Sequence, residues 1–433
     1  MTQRSIVENV TVMDATRIFS DAAVKVKGKK IVAVARSGEL ETDGYERIDG
    51  RGKILMPGLV NTHGHTPMTL LRGISDDLPL DRWLREKIWP AEATLDEESA
   101  AAGTALAIVE MLRSGTTCFA DMYHLNREGA ARITEETGLK ASLARGMIVL
   151  GSTKTEQKEK LNAAVAYANA CENAPSGRLR GAIFPHAPYT CPPDFLHAAK
   201  TAADDASLPL HIHIAETRQE VRKHEATYGQ TPVTHLLEAG ILAEGSLAVH
   251  AVHVNETDIT GMKEKGVHVS HNPQSNLKLG SGIAPLPRLL NEHIPVSLGT
   301  DSAASNNTLD LFDEMRQAAM IHKGTEQAAE VTSAQSVVEM ATVNGARTLG
   351  FPGTGLIEEG YDADFILIDT GKPHLIPRVN DYGSLVYAAS GQDVTDVFVE
   401  GRALMRRGEL LTIDEEKVCH EAINAQKKWK ADR

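Results

Sequence analysis

From residue 59 to about 300 the chain repeats one alternation: a short apolar run, then a longer stretch with helical spacing. Short apolar runs bounded by turn residues suit strands buried on both faces. Eight stand out: LVNTHGH (59–65), TTCFADMY (116–123), KASLARGMI (140–148), RGAIFPHAP (180–188), PLHIHIAE (209–216), SLAVHAVHV (246–254), GVHVSHNPQ (266–274) and PVSLGTDS (295–302). Between and after them run segments of period 3.6, such as TLDEESAAAGTALAIVEMLRSG (94–115) and SAQSVVEMATVNGARTLG (333–350). In the first of these, Thr94 and Glu97 predict a capping box and Gly115 a stop. Eight strands alternating with helices over residues 58–350 predict an α/β fold, a TIM-like (β/α)8 barrel.

The flanks have another texture. SIVENVTVMD, AAVKVKGKKIVAVA and ERIDGRGKILMP alternate apolar and polar residues around Gly and Asp turns, as half-buried strands do. Strand texture returns after residue 351, in GLIEEGYDADFILID, SLVYAAS and VTDVFVEGRAL. These segments are expected to pair into a small discontinuous β-sandwich domain made of residues 1–57 and 351–433. The tail, DEEKVCHEAINAQKKWKADR, reads as a charged terminal helix with a frayed end. At 433 residues the chain exceeds one ordinary compact core, and a barrel plus a smaller domain accommodates that length.

Composition narrows the function class. The formal net charge of -13 argues against a nucleic-acid binder, which carries a basic face. No run of 18 apolar residues predicts a membrane span. Four scattered cysteines without a CxxC pair favour free thiols over a disulfide framework or zinc ribbon. The N-terminus lacks a charged-then-apolar leader pattern. The expectation is a cytoplasmic protein, a homo-oligomer, acting on a small molecule.

The chemistry lies in where the histidines fall. In a (β/α)8 barrel, reacting groups gather at the C-terminal ends of the strands. The first run ends in His63 and His65, two apart and so on one side of a strand. The fourth ends in His186 and the fifth in His213, with Glu216 just beyond. The sixth carries His250, the seventh ends in His271 and the eighth in Asp301. His211 competes with His213, but one layer deeper, and His253 competes with His250. His63, His65, His213 and Asp301 offer three imidazoles and a carboxylate, a donor set for one divalent metal, with zinc favoured and iron or nickel possible. Such a metal brings the pKa of a bound water to about 7. Glu216 is placed to carry the proton.

The segments PGLVNTHGH, HIHIAET, VHAVHV, SHNPQSNLKLGSG and LGTDSAASNN resemble the amidohydrolase superfamily over nearly the whole chain. In its mononuclear deaminase branch the metal ligands match His63, His65, His213 and Asp301, Glu216 matches the general acid/base, and His250 orients the hydroxide. Binuclear relatives place a carboxylated lysine at the end of the fourth strand, where this chain reads AIFPHAP. That departure implies a single metal.

The stretch HTPMTLLRGISDDLPLDRWLREKIWPAE is similar to the branch that deaminates S-adenosylhomocysteine and 5'-methylthioadenosine. The resemblance implies that Glu92 binds ribose hydroxyls, Arg145 serves the substrate and His186 contacts the nucleoside. A second arginine of that branch would fall near STKTEQKEK, which holds lysines only. Residues 66–92 are expected to form a breaker-rich covering loop. His271, in the segment after the seventh strand, is either a substrate contact or part of a loop pinned by turns. The implied reaction is hydrolytic deamination at carbon 6 of adenine. A guanine or aminotriazine hydrolase would use the same metal site. A metal-free binding barrel would lack its ligands, and a phosphate-binding barrel would show a Gly-rich loop after the last two strands.

Overall fold

The computed structural model describes residues 4–125 and 127–431. At its centre run eight short parallel strands: β1 (Leu59–Asn61), β2 (Thr116–Tyr123), β3 (Lys140–Met147), β4 (Leu179–Pro185), β5 (His211–Ile214), β6 (Leu247–His250), β7 (His268–His271) and β8 (Val296–Leu298). β1 to β4 pair in order, as do β5 to β8. Both seams are hydrogen-bonded. Between β4 and β5 the Ile183 N–H donates to Pro209 at 2.9 Å. Between β8 and β1 the Thr62 N–H donates to Leu298 at 2.9 Å and the Asp301 N–H to His63 at 3.0 Å. The predicted (β/α)8 barrel is therefore closed. Its interior is packed by alternate residues, among them Val60, Cys118, Ala182, Phe184 and Leu247.

The helix predicted over 94–115 runs from Glu97 to Arg113, but its cap is Asp96, whose carboxylate accepts the Ser99 N–H at 2.8 Å. The expected Thr94–Glu97 box does not form, because Asp96 supplies both the acceptor and the negative charge that a helix start favours. The Thr94 hydroxyl turns back to the Ala91 carbonyl at 2.8 Å.

The flanking segments join in one nine-stranded sheet, with Lys53–Pro57 pairing antiparallel to Phe365–Asp369. The expected sandwich is this single sheet curled on itself. A Cβ on Gly401 would stand 2.3 Å from the Gly28 carbonyl, so two distant turns of the sheet touch. Val24, Leu55, Phe365 and Phe398 fill the enclosed space. Buried Lys140 at the start of β3 ties barrel to sheet, 2.6 Å from Asp364 and 2.7 Å from Asp362.

Two expectations for the C-terminal third are corrected. SLVYAAS is not a strand: Asn380 caps a helix, Asp381–Tyr387, that packs on the barrel helices Leu311–Glu326 and Ala334–Glu339. The terminal helix Glu415–Ala431 leaves the sheet and lies along Glu97–Arg113. Trp429, near its end, is only 4 % exposed, and the last two residues, where a frayed end is expected, lie outside the described residues. No helix among the described residues is long and apolar enough to cross a membrane.

Candidate active site

Three strand ends break sharply. Ala215 after β5, His250 closing β6 and Asp301 after β8 all take positive φ, at 51°, 75° and 59°. Non-glycine residues adopt that conformation at a cost, and such strain concentrates where side chains must be aimed. Here it turns Glu216, His250 and Asp301 toward the barrel axis.

His63, His65, His213 and Asp301 converge. His63 Nε2 lies 3.2 Å from His213 Nε2. Asp301 Oδ1 lies 3.3 Å from His63 Nε2 and 3.4 Å from His65 Nε2. Metal–nitrogen bonds of about 2.05 Å in a tetrahedron put ligand atoms about 3.3 Å apart, so these separations fit one small divalent ion. The protonation states fit as well. Burial pushes His63 down to about 4 and His213 well below its ordinary value, which leaves neutral imidazoles with free lone pairs. Burial raises Asp301, but its contacts with the surrounding imidazoles, His63 first, outweigh it and hold the carboxyl ionised. Its other oxygen, Oδ2, accepts from Ser275 at 2.6 Å and Ser305 at 2.9 Å, which leaves Oδ1 to face the histidines. His65 Nδ1 donates to the Met122 carbonyl at 2.7 Å, which leaves the lone pair of Nε2 toward the cluster. His211 is buried and belongs to neither metal-ligating group among the described residues, and His253 turns off to the Ser281 carbonyl at 2.6 Å.

His250 Nε2 stands 3.7 Å from Glu216 Oε2. Its Nδ1 meets Asn276 Oδ1 at 2.9 Å and Asn272 Nδ2 at 3.2 Å, and its Nε2 points into the site. Burial, then the charge of Asp301, raises Glu216 to about 8, and Ser281 lies 3.4 Å from its Oε1.

One cavity of about 570 Å³ is lined by His65, His213, Asp301, Glu216 and His250 together with Glu92, Arg145 and His186. Its remaining wall is largely apolar, with Trp83, Leu84, Ile88 and Trp89 on one segment and Ile148 and Leu150 on another. Glu92 accepts a 2.6 Å bond from the Tyr123 hydroxyl, and burial raises its carboxyl. His186 Nδ1 is 3.0 Å from Thr190 Oγ1 and its ring centroid 4.8 Å from that of His213. Of the lysines in STKTEQKEK, Lys160 reaches the cavity wall. The covering segment is not the open loop expected: residues 66–71 form a buried 3-10 turn, and three contiguous helical pieces run from Leu80 to Glu92.

His271 does not line the cavity. Ser270, its neighbour on β7, faces the barrel interior, 2.9 Å from Thr62. Strand alternation then turns His271 outward, to within 3.3 Å of His322 on the surrounding helix. The segment after β7 reaches the site through residues that histidine counting passes over: Asn272 and Asn276 on His250, Ser275 on Asp301 and Ser281 on Glu216. The cluster SHNPQSN was the visible signal, read there for turns and not for hydrogen-bonding partners. Tyr123 and Glu220 had no motif to mark them.

The description "Amidohydrolase family" matches residues 54–404. A 5-methylthioadenosine/S-adenosylhomocysteine deaminase of Dictyoglomus thermophilum is 45% identical over 419 residues, 97% of each chain. A 5'-deoxyadenosine deaminase of Methanocaldococcus jannaschii is 44% identical over 400 residues, 92% of this chain and 94% of the other. Among solved structures, an adenosine deaminase from Xanthomonas campestris with bound zinc superposes with a TM-score of 0.93 at 34% identity, covering 98% of both chains.

Proposed function

We propose a reaction from the premise that this chain belongs to the amidohydrolase family: hydrolytic deamination of adenosine-type nucleosides, 5'-methylthioadenosine and S-adenosylhomocysteine first among them, to the inosine analogues and ammonia. One observation carries the reading. The His/Asp cluster, a protonated buried carboxyl at Glu216 and the Glu92, Arg145 and His186 side chains share a single cavity of nucleoside size.

His63, His65, His213 and Asp301 would hold one zinc ion, and β4 offers no lysine for a second. When bound, the ion makes a water nucleophilic at neutral pH. Glu216 holds a proton near neutrality and donates it to the ring nitrogen beside carbon 6. His250, with Nδ1 held between Asn276 and Asn272, turns Nε2 to the attacking water and orients it. Asp301 Oδ1 takes one proton of that water as its oxygen adds to carbon 6 and hands it to the exocyclic amine. The carbon–nitrogen bond breaks, ammonia leaves, and the remaining hydroxyl proton returns to Glu216 as the carbonyl at carbon 6 forms. Glu92, with one oxygen engaged by Tyr123, offers the other to the ribose hydroxyls. Arg145 and Lys160 supply positive charge for a carboxylate-bearing tail, and the apolar wall suits a methylthio group.

The test is ammonia release from 5'-methylthioadenosine, S-adenosylhomocysteine, 5'-deoxyadenosine, adenosine, guanine and an aminotriazine. Turnover of the adenine nucleosides is expected. Turnover of guanine or the triazine with none of the nucleosides would replace the reading by its sibling chemistry.

A further inference from the structure

The helical segment that carries Glu92 has few polar ties to the barrel. Its ion pairs, Arg82 with Glu86 and Arg85 with Asp81, are internal to it. It ends at Glu92 in a tight turn, where the Thr94 N–H donates to the Ala91 carbonyl at 3.2 Å and the Leu95 N–H to that of Glu92 at 3.1 Å. A further donor comes from the far end of the chain. The indole N–H of Trp429 lies 3.2 Å from the Ala91 carbonyl and 2.7 Å from Thr94 Oγ1. The Thr94 hydroxyl itself donates to the Ala91 carbonyl at 2.8 Å, closing a three-membered network beside Glu92. Trp429, Trp83, Ile88, Ala91 and Tyr123 also belong to one buried apolar cluster. Glu92 is thus held directly at its carboxylate by Tyr123 and, through the adjoining Ala91 carbonyl, by the terminal helix.

We propose that Trp429 is a positioning residue for substrate binding: through the Ala91 carbonyl and Thr94 it fixes the end of the covering segment, and so the aim of the Glu92 carboxylate at the ribose. The proposal rests on the ribose reading of Glu92 given above. It assigns the terminal helix, which touches no reacting group, a part in the affinity of the site.

Trp429→Phe keeps an aromatic ring in the cluster but removes the N–H together with part of the indole's bulk. In the zinc-loaded full chain without substrate, amide hydrogen exchange over residues 80–96 should accelerate while the barrel strands keep their protection. The KM for 5'-methylthioadenosine should rise about 3- to 10-fold, the loss of one buried hydrogen bond, with kcat within about 2-fold. In a Glu92→Ala background the same substitution should raise KM no further, since the side chain it aims is gone. Lys428→Ala, one residue away in an exposed pair with Asp96, serves as the control and should leave exchange and KM unchanged. Unaltered exchange over 80–96 in Trp429→Phe overturns the proposal, whatever the substrate. So does a KM increase of equal size with and without Glu92. If Glu92→Ala alone leaves nucleoside KM unchanged, the ribose reading fails and the substrate half of the proposal falls with it, while the exchange result still decides whether Trp429 holds the segment.

Discussion

The Glu220 carboxylate accepts the backbone N–H of Glu216 at 2.8 Å, and its second oxygen that of Ala215 at 2.9 Å. Both amides lie in the strained turn after β5, where Ala215 has φ 51°. A carboxylate accepts at both oxygens, whereas an amide accepts at only one. Glu220→Gln would therefore set an NH2 group against a buried N–H. An unmet buried donor costs about 1 to 3 kcal/mol. Turnover is expected to fall about 10-fold with metal content unchanged, because His213 precedes the turn. Full turnover in this variant would show that Glu216 needs no such support.

Ser275 and Ser305 converge on Asp301 Oδ2 from the segments after β7 and β8. Their hydroxyls hold the carboxylate so that Oδ1 faces the three imidazoles. Hydrogen-bonding partners behind metal ligands typically contribute 10- to 100-fold in affinity. Ser275→Ala and Ser305→Ala are each expected to weaken zinc about 10-fold in competition with a chelator. Elemental analysis of the parent protein should give one zinc per chain. Two tightly held ions would contradict the single-site reading.

These hydroxyls also show what could be read from the sequence and what could not. The barrel was legible because eight apolar runs alternate with helical spacing, and the convergent cluster because His63, His65, His213 and Asp301 close those runs. Local rules set both. His271 misled because it closes a run equally well; one residue of parity turns it to His322, and parity depends on register. SLVYAAS looked like a strand because strand and helix share short apolar runs; the Asn380 cap and packing on the barrel decided for a helix. Trp429 meets Ala91 across more than 330 residues of sequence, a pairing that no local pattern encodes.

Burial holds the Glu216 proton, with a consequence for stability in the metal-free protein. Its carboxyl is raised from 4.5 to about 8, chiefly by burial and then by Asp301. Below 4.5 the group is protonated whether folded or unfolded and imposes no penalty. Between the two values the unfolded chain releases a proton that the folded chain keeps, so stability falls as pH rises, by up to about 1.4 kcal/mol per pH unit. Above about 8 this contribution is constant. Gln does not titrate. After chelation, the parent should therefore lose thermal stability relative to Glu216→Gln as pH climbs toward 8, and the gap should close in mild acid. Parallel melting profiles for the two proteins would mean that Glu216 is not held protonated. With zinc restored, Glu216→Gln should keep its metal and lose about 100-fold or more in kcat, since Gln cannot shuttle a proton.

Arg145 and Lys160 both line the cavity, beside the apolar residues Ile148 and Leu150. Lys160 Nζ donates to the Ile148 carbonyl at 2.8 Å and to Ser152 Oγ at 3.0 Å, which stations the ammonium at that wall. S-adenosylhomocysteine carries a carboxylate on its tail, and 5'-methylthioadenosine does not. A cation that reads the tail therefore favours the first substrate alone, and its removal must change the ratio of kcat/KM values rather than both together. A charge-assisted hydrogen bond contributes about 1.5 to 3 kcal/mol, or about 10- to 100-fold in that ratio. Arg145→Ala is expected to shift the ratio by this amount toward 5'-methylthioadenosine. Lys160→Ala should shift it the same way but less, because an ammonium offers a point charge where a guanidinium offers a fork. Glu92→Ala should lower kcat/KM for both substrates and leave the ratio fixed, since the ribose is common to them. An unchanged ratio in Arg145→Ala with a changed one in Lys160→Ala would assign the tail to the lysine. Unchanged ratios in both would mean that the cavity wall recognises no carboxylate.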